Sequence, residues 1–167
     1  MSLSFSCSGT VSFAPQWTDT DAGNFVQVID SSPASFQTPL TNGTGNDQAD
    51  AYWRDLVTIA AGQTYAADLT ALPRQLMGGT TDDNFAKVKL LAIKNLSATI
   101  GLTFGDTVTD RWTALSADAI TLGPEAVLYV VHPNGGYATG ASDKVLAITN
   151  NGGTAVDIEL YIVGVHA

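Results

Sequence analysis

Few residues of this chain carry side chains from which catalysis is built, and their spacing gathers none of them. The two histidines are His132, beside Pro133, and His166, at the C-terminus. A metal-holding β-sandwich needs histidines clustered on adjacent strands, and no His-x-His pair occurs. His132 therefore reads as an ordinary loop residue. Cys7 is the single cysteine, so no internal disulfide is available and it reads as a small, half-buried strand residue. With two histidines and one cysteine no nucleophile–base pair can be assembled, and neither G-x-S-x-G nor G-x-x-x-x-G-K-[ST] is present. Gly43-Thr44-Gly45 lacks the following lysine and the helix that would make it a phosphate loop. The carboxylates offer one cation test. Asp19-Thr20-Asp21-Ala22-Gly23-Asn24 resembles the first half of a calcium loop, but its glycine falls one place early and the closing bidentate Glu is missing. Asp82-Asp83-Asn84 and the stretch Asp47 to Asp50 are weaker alternatives, and solvated turns are the default for all three. The expectation is a protein that is not an enzyme and has no catalytic residue, metal or cofactor.

The aromatics form a second candidate chemistry. Trp17, Trp53, Trp112 and Tyr137 fall in or beside loops, where flat rings can stack on the apolar faces of sugars. Trp17, Trp112 and Tyr137 are the candidate sugar-stacking residues. The competing reading is burial, because a bulky indole normally ends packed against something.

Composition narrows the partners. Sixteen acids against seven bases give a net charge of −9, which argues against a grip on nucleic-acid phosphates. Apolar residues make up 45% of the 167 positions and charged residues only 14%. Ser, Thr, Asn and Gly supply the polar surface instead, as suits an all-β protein. A chain of this length buries roughly 70% of its unfolded surface as one domain. No stretch approaches a membrane span, and the N-terminus lacks the basic and apolar regions of a signal peptide, so a soluble chain without membrane partners is expected.

The elements that must position these residues are strands. Two segments look like copies: Lys89-Leu90-Leu91-Ala92-Ile93-Lys94-Asn95 and Lys144-Val145-Leu146-Ala147-Ile148-Thr149-Asn150. Each stops at an Asn, crosses a turn and resumes as an alternating run, Ile100 to Phe104 and Val156 to Ile162, so each reads as a β-hairpin. Upstream, Leu56 to Ile59, the turn 60–63 and Thr64 to Leu69 match Ala119 to Leu122, the turn 123–125 and Ala126 to Val131. The chain thus contains two units of four strands, differing by about eight residues of loop. The predicted fold is all-β: an eight-stranded, jelly-roll-like β-sandwich built from these two units, with an extended N-terminal arm. It is one domain over 1–167, with N-terminal strands and polar arm over 1–54 and the sandwich body over 55–167. In the arm region, residues 4–13 read as a peripheral strand ended by Pro15, Gln16 to Gly23 as a polar loop and Phe25 to Ile29 as a short strand. Ala34 to Ala51 reads as a long surface arm. Pro73 to Met77 is a candidate for one helical turn, and Arg111 to Leu115 links the two units as irregular chain or a short strand.

Period two predicts the core. Leu91, Ile93, Ile100, Leu102 and Phe104 share one face, matched by Leu146, Ile148, Val156, Ile158, Leu160 and Ile162. The opposite faces are also apolar at Leu90, Ala92, Val145, Ala147, Tyr161, Val163 and Val165. Something should cover them, and they are the expected oligomer interface.

One stretch goes beyond generic β patterning. Leu40-Thr41-Asn42-Gly43-Thr44-Gly45-Asn46-Asp47-Gln48-Ala49-Asp50, then Trp53-Arg54-Asp55, Ile59-Ala60-Ala61-Gly62, Asp68-Leu69, Phe85-Ala86-Lys87-Val88 and Leu91-Ala92-Ile93-Lys94-Asn95, resembles the uncharacterised minor structural proteins of tailed bacteriophages. Those carry a polar G-T-G-x-x-Q-A-D arm, an aromatic-x-Asp step, an A-G-x-T turn and a two-hairpin body. At Gly123-Pro124 this chain departs from their usual Pro-Gly. The resemblance spans residues 40 to 165 and implies a virion protein assembled in the bacterial host cytoplasm, with no catalytic residue to carry over. The expected function is that of a non-enzymatic virion subunit acting by self-association, with a trimer as the guessed stoichiometry, and by docking on other capsid or tail proteins. The alternative is a carbohydrate- or receptor-binding sandwich using the loop aromatics.

Overall fold

The computed structural model describes residues 6–20, 27–31, 33–76, 79–105, 108–115 and 120–167. The N-terminal part holds β1 (Ser6–Phe13), β2 (Gln16–Thr20), β3 (Gln27–Ser31), β4 (Ala34–Asn42) and β5 (Gln48–Ala49). The body follows with β6 (Ala51–Ile59), β7 (Thr64–Asp68), β8 (Leu72–Leu76), β9 (Gly79–Asp83), β10 (Phe85–Asn95) and β11 (Leu102–Phe104). A 3-10 turn at Thr113–Leu115 leads into β12 (Ile120–Leu122), β13 (Val127–Val131), β14 (Tyr137–Ala138), β15 (Val145–Asn150) and β16 (Val156–His166).

Eight of these strands make two sheets, in the orders β13-β10-β16-β6 and β12-β11-β15-β7, with β14 extending the first beside β10. Every ladder in them is antiparallel. Each sheet takes two strands from each sequence unit, so the protein is an all-β sandwich in which both units build both layers. The apolar positions predicted for the interior lie there. Leu91, Ile93, Leu102, Phe104, Leu146, Ile148, Val156, Ile158, Leu160 and Ile162 are buried in one cluster, with Ile100 packed against its margin. Fully burying a Leu or Ile contributes about 1.5–3 kcal/mol, so this cluster holds the layers together.

The two Asn-terminated segments do not open hairpins. β10 and β11 lie in opposite sheets, and so do β15 and β16. The cause is a pair of buried asparagines, both 0% exposed. Asn95 Oδ1 accepts the Ser97 N–H at 3.0 Å, and its Nδ2 donates to the carbonyls of Ile100 at 2.7 Å and Gly123 at 2.9 Å. Asn150 does the same one unit later: Oδ1 accepts the Gly152 N–H at 2.8 Å, while Nδ2 donates to Ile59 at 3.0 Å, Ala60 at 3.2 Å and Thr154 at 2.8 Å. Each amide turns its own chain through an Asx turn and ties that corner to the turn of the other unit. Their backbone N–H groups match too, Asn95 donating to Ala126 and Asn150 to Gln63.

The N-terminal region is more regular than its polar composition suggests. β1 pairs with β4, from Ser6 opposite Thr41 to Phe13 opposite Ala34. β2 pairs with β3 in the same register, from Gln16 opposite Ser31 to Thr20 opposite Gln27. The two ladders form one antiparallel ribbon, roughly 50 Å long at about 3.4 Å per residue. Among the described residues it is interrupted at Pro15 and Pro33, which remove ladder donors. Residues Gln16 to Thr20, expected in a loop, are strand because they continue this register. The strand expected at Phe25 to Ile29 is β3, and Phe25 and Val26 lie outside the described residues. Ala34 to Ala51, expected as a surface arm, is mostly β4 and β5, and β6 begins at Ala51, so the expected boundary after residue 54 falls inside a strand. The helical candidate at Pro73 is β8, paired with β9, with the Trp53 indole N–H donating to the Pro73 carbonyl at 2.9 Å; Met77 lies outside the described residues.

The corner geometry predicts that Asn150→Ala loses about 3 kcal/mol in urea unfolding, since several buried backbone groups lose their partner. Asn150→Asp should cost more at pH 7 than at pH 4. A carboxyl facing three carbonyls binds its proton more tightly in the fold than in the unfolded chain, so stability falls as pH rises. A second pH effect comes from Asp68. Burial alone would raise its carboxyl, but Lys144 Nζ at 2.8 Å and the hydroxyl and N–H of Thr70 at 2.6 and 2.9 Å hold it below the usual carboxylate value. This contribution is complete above the unfolded value of about 3.9 and is lost as pH falls through the folded one. Asp68→Asn should therefore flatten the acid limb of the stability profile measured by thermal unfolding.

Candidate functional site

The outer face of the β13-β10-β16-β6 sheet is where the sequence placed an oligomer interface, and much of it is covered by the chain's own ribbon. Leu90 and Val163 are 5% and 2% exposed, buried with Leu40 of β4 and Ala49 of β5, and Cys7, Tyr52, Ala92, Tyr129 and Val131 pack around them. Val165 and Ala147 are buried as well, while Ala92, Val145 and Tyr161 are half-buried. The expectation of a free apolar face is thus corrected at Leu90, Val163, Val165 and Ala147. The covering side chains are few. Cys7 and Leu40 face each other in the β1–β4 ladder, and Gly9 lets that ladder lie flat, since a Cβ there would meet the Tyr129 hydroxyl at 2.0 Å. On the other sheet, Trp112 donates its backbone N–H to the Val145 carbonyl at 2.8 Å, and Gly105 donates to Ala147 at 3.4 Å.

The ribbon's base is pinned by a side chain the sequence reading passed over. Lys89 is 1% exposed. It sits at a β-bulge: against β16, Val88 faces Gly164 and Leu90 faces Val163, leaving Lys89 between them without a partner. A Cβ on Gly164 would strike the Lys87 carbonyl at 2.0 Å, so the bulge requires glycine opposite. The bulge aims Lys89 at the end of the sandwich. Its Nζ donates to the Gly45 carbonyl and, at 2.9 Å, to the Pro133 carbonyl. Asp47 N–H donates to the same Pro133 oxygen at 3.1 Å. Burial, then the nearby Lys87, push the Lys89 ammonium below its ordinary value, with Asp47 opposing. One buried cation thus ties the 43–47 loop, β10 and the 132–136 turn together. The turn is held from within by His132, whose Nδ1 accepts the N–H groups of Gly135 and Gly136 at 3.1 and 3.2 Å.

Of the aromatic candidates, Trp112 and Tyr137 pack against the chain itself. Trp112 is 3% exposed and its indole N–H donates to the Ala138 carbonyl at 2.9 Å. Tyr137 is half-buried with its ring edge-on to Trp112 at 6.0 Å and to His132 at 5.3 Å. Trp17 lies in β2, and its side chain is outside the described residues. Of the candidate cation loop, Asp19 and Thr20 lie in β2 and 21–24 fall outside the described residues. Asp82 and Asp83 belong to β9, and among the described residues no three His, Cys, Asp or Glu side chains are grouped to hold a metal ion. No family model, curated protein or solved structure matches the chain.

What the geometry offers is a surface. Phe36, on the ribbon beyond its base, is 65% exposed, and Ala34, Ser35 and Gln37 are exposed beside it. Among the described residues, β5 pairs only with Thr41 and Asn42, at the base of β4, and β2 and β3 pair only with each other.

Lys89 generates a test. Lys89→Met should leave the melting temperature within a few degrees, because relief from burying a charge offsets the lost hydrogen bonds. Amide exchange at Gly45 and Asp47 should accelerate at least tenfold. The wild-type chain, whose folded Lys89 gives up its proton before the unfolded one, should also gain stability as pH rises toward about 10.4, and Lys89→Met should lose that slope.

Proposed function

We propose that the chain is a non-enzymatic structural subunit of a phage virion, with a jelly-roll body and an N-terminal ribbon that joins it to copies of itself and to other virion proteins. The observation that carries this reading is the ribbon: one continuous register from Ser6–Thr41 to Thr20–Gln27, bound to the body at its base, with Ala34 to Gln37 exposed beyond it. An isolated two-stranded ribbon is marginal in water, so the outer half gains its order from a neighbour. The strand orders support the jelly roll, because both four-strand units contribute to both sheets and neighbouring strands within each unit alternate between layers. The resemblance at 40–165 supports the virion setting, with assembly in the host cytoplasm. Closed homo-oligomers hide such surfaces, and three copies are the working stoichiometry.

Analytical ultracentrifugation of the full chain tests this. The wild type should associate at micromolar concentration. Replacing residues 11–36 by an Asn-Gly turn, which shortens the ribbon without touching its base, should weaken association at least tenfold while the melting temperature stays within a few degrees. A wild-type chain that sediments as a monomer up to millimolar concentration removes the reading.

A further inference from the structure

We infer that the open edge of β13 receives β4, residues Ala34–Thr38, of a second copy of this chain; the inference rests on the assembly reading above and names the surfaces that meet. The sandwich has four edge strands, and three are protected. β12 is only three residues long. β7 carries the Asp68–Lys144 ion pair. β6 carries Arg54 and Asp55, and the Asp55 carboxylate accepts the neighbouring Leu56 N–H at 2.8 Å. Charges, short strands and blocked amides are the devices that keep edges from pairing. β13 has none of them. Val127-Leu128-Tyr129-Val130-Val131 contains no charge and no proline, pairs with β10 without a bulge, and leaves Val127 59% exposed.

The direction of its free backbone groups follows from two bonds that flank the ladder. His132 N–H donates to Lys89 and Asn95 N–H donates to Ala126. Antiparallel pairs alternate, so Leu128 and Val130 bond inward to β10, and the N–H and C=O groups of Val127, Tyr129 and Val131 point to the open side. That side borders a groove of about 660 Å³, walled by Val127, Leu128 and Tyr129 and, across from them, by Thr10, Val11 and Ser12 of β1. Both walls are uncharged.

The occupant must be an extended, uncharged strand with an open edge of about five residues. This chain supplies one. Positions 31–46 carry no charge, and β4 is flanked by β5 only at Thr41 and Asn42, so Ala34–Thr38 matches β13 in length and presents an exposed Phe36 to meet Val127. β1 already lines its own copy's groove, which leaves β4 as the ribbon strand to be offered to another copy.

The test uses full-length protein in sedimentation and amide exchange. Val127→Pro removes an outward N–H and leaves the β10 ladder intact; Val127→Lys and Phe36→Asp change only exposed side chains. Each should weaken self-association at least tenfold with unchanged circular dichroism, whereas Leu56→Lys, at the protected β6 edge, should not. In the wild type, Val127, Tyr129 and Val131 amides should become protected as concentration rises. Association that survives Val127→Pro and Val127→Lys, or oligomer formation without new protection at those three amides, overturns the inference while leaving the assembly reading in place. Association that is lost in the Val127 variants but unchanged in Phe36→Asp overturns β4 as the occupant. A wild-type monomer at every concentration overturns both.

Discussion

Two buried side-chain amides decide the path of this chain. A strand ending in most residues would be free to fold back on itself, and the sequence around Asn95 and Asn150 has the length and alternation of a hairpin. Each amide instead satisfies one N–H two residues ahead, one carbonyl a few residues further on and at least one carbonyl from a distant turn. Buried donors and acceptors without partners cost more than a typical hydrogen bond contributes, so the arrangement that pairs all of them prevails over the local hairpin. The next strand is thrown into the opposite sheet. Because the same device occurs once per unit, the two units interleave, and the apolar rows of β10 and β16 end inside one shared core.

Interleaving also explains the outer surface. β16 is alternately buried from Val156 to Ile162 and then continuously buried from Ile162 to Val165. The change marks where a second layer begins: the ribbon base lies on that end of the sheet through Leu40 and Cys7, and the Lys89 ammonium closes the seam. The other end of the same face stays open. There the cross-strand row Val127, Lys94, Glu159, Leu56 has apolar residues at both sheet edges, and Arg54 sits over the Tyr161 ring at 5.6 Å. The protein therefore passes from a doubly covered end, through a singly covered sandwich, to a ribbon whose residues Ala34 to Gln37 are exposed beyond its base.

Legibility in the sequence follows the same gradient. Period-two alternation located the body strands and the interior residues because those positions feel one strong constraint, burial on a single face. Pairing was not legible, since an Asn at a strand end is equally suited to a hairpin turn or to a corner, and only the distant carbonyls of Gly123 and Ile59 distinguish them. The ribbon was hidden by composition: Ser, Thr and Gln fill much of it, its register is carried by backbone bonds, and among the described residues two apolar side chains facing one another, Cys7 and Leu40, anchor it. Lys89 was missed because a charge within an apolar run looks like a solvated position. The one clue was its phase, which it shares with Leu91 and Ile93. The interface expected at Leu90 and Val163 was a sound inference about cover but assigned the cover to another molecule.

A chain with 14% charged residues and a net charge of −9 has little with which to guard its edges, and the distribution of that charge is informative. Acidic and basic groups stand on β6, β7, β9, β10 and β16, while residues 31–46 and 126–142 have none, as is also true of 1–18, 56–67 and 145–156. Between two copies, like charges repel over roughly a Debye length, about 8 Å at physiological salt. Approaches that bring charged strands together are disfavoured. Those that bring uncharged stretches such as 31–46 and 126–142 together avoid most of the repulsion and expose open backbone groups to each other. Specificity of this kind comes from where charge is withheld, and it does not require a matched set of ion pairs. In such a protein the surfaces with the fewest recognisable side chains, the edge of β13 and the outer edge of β4, are the ones best suited to recognition.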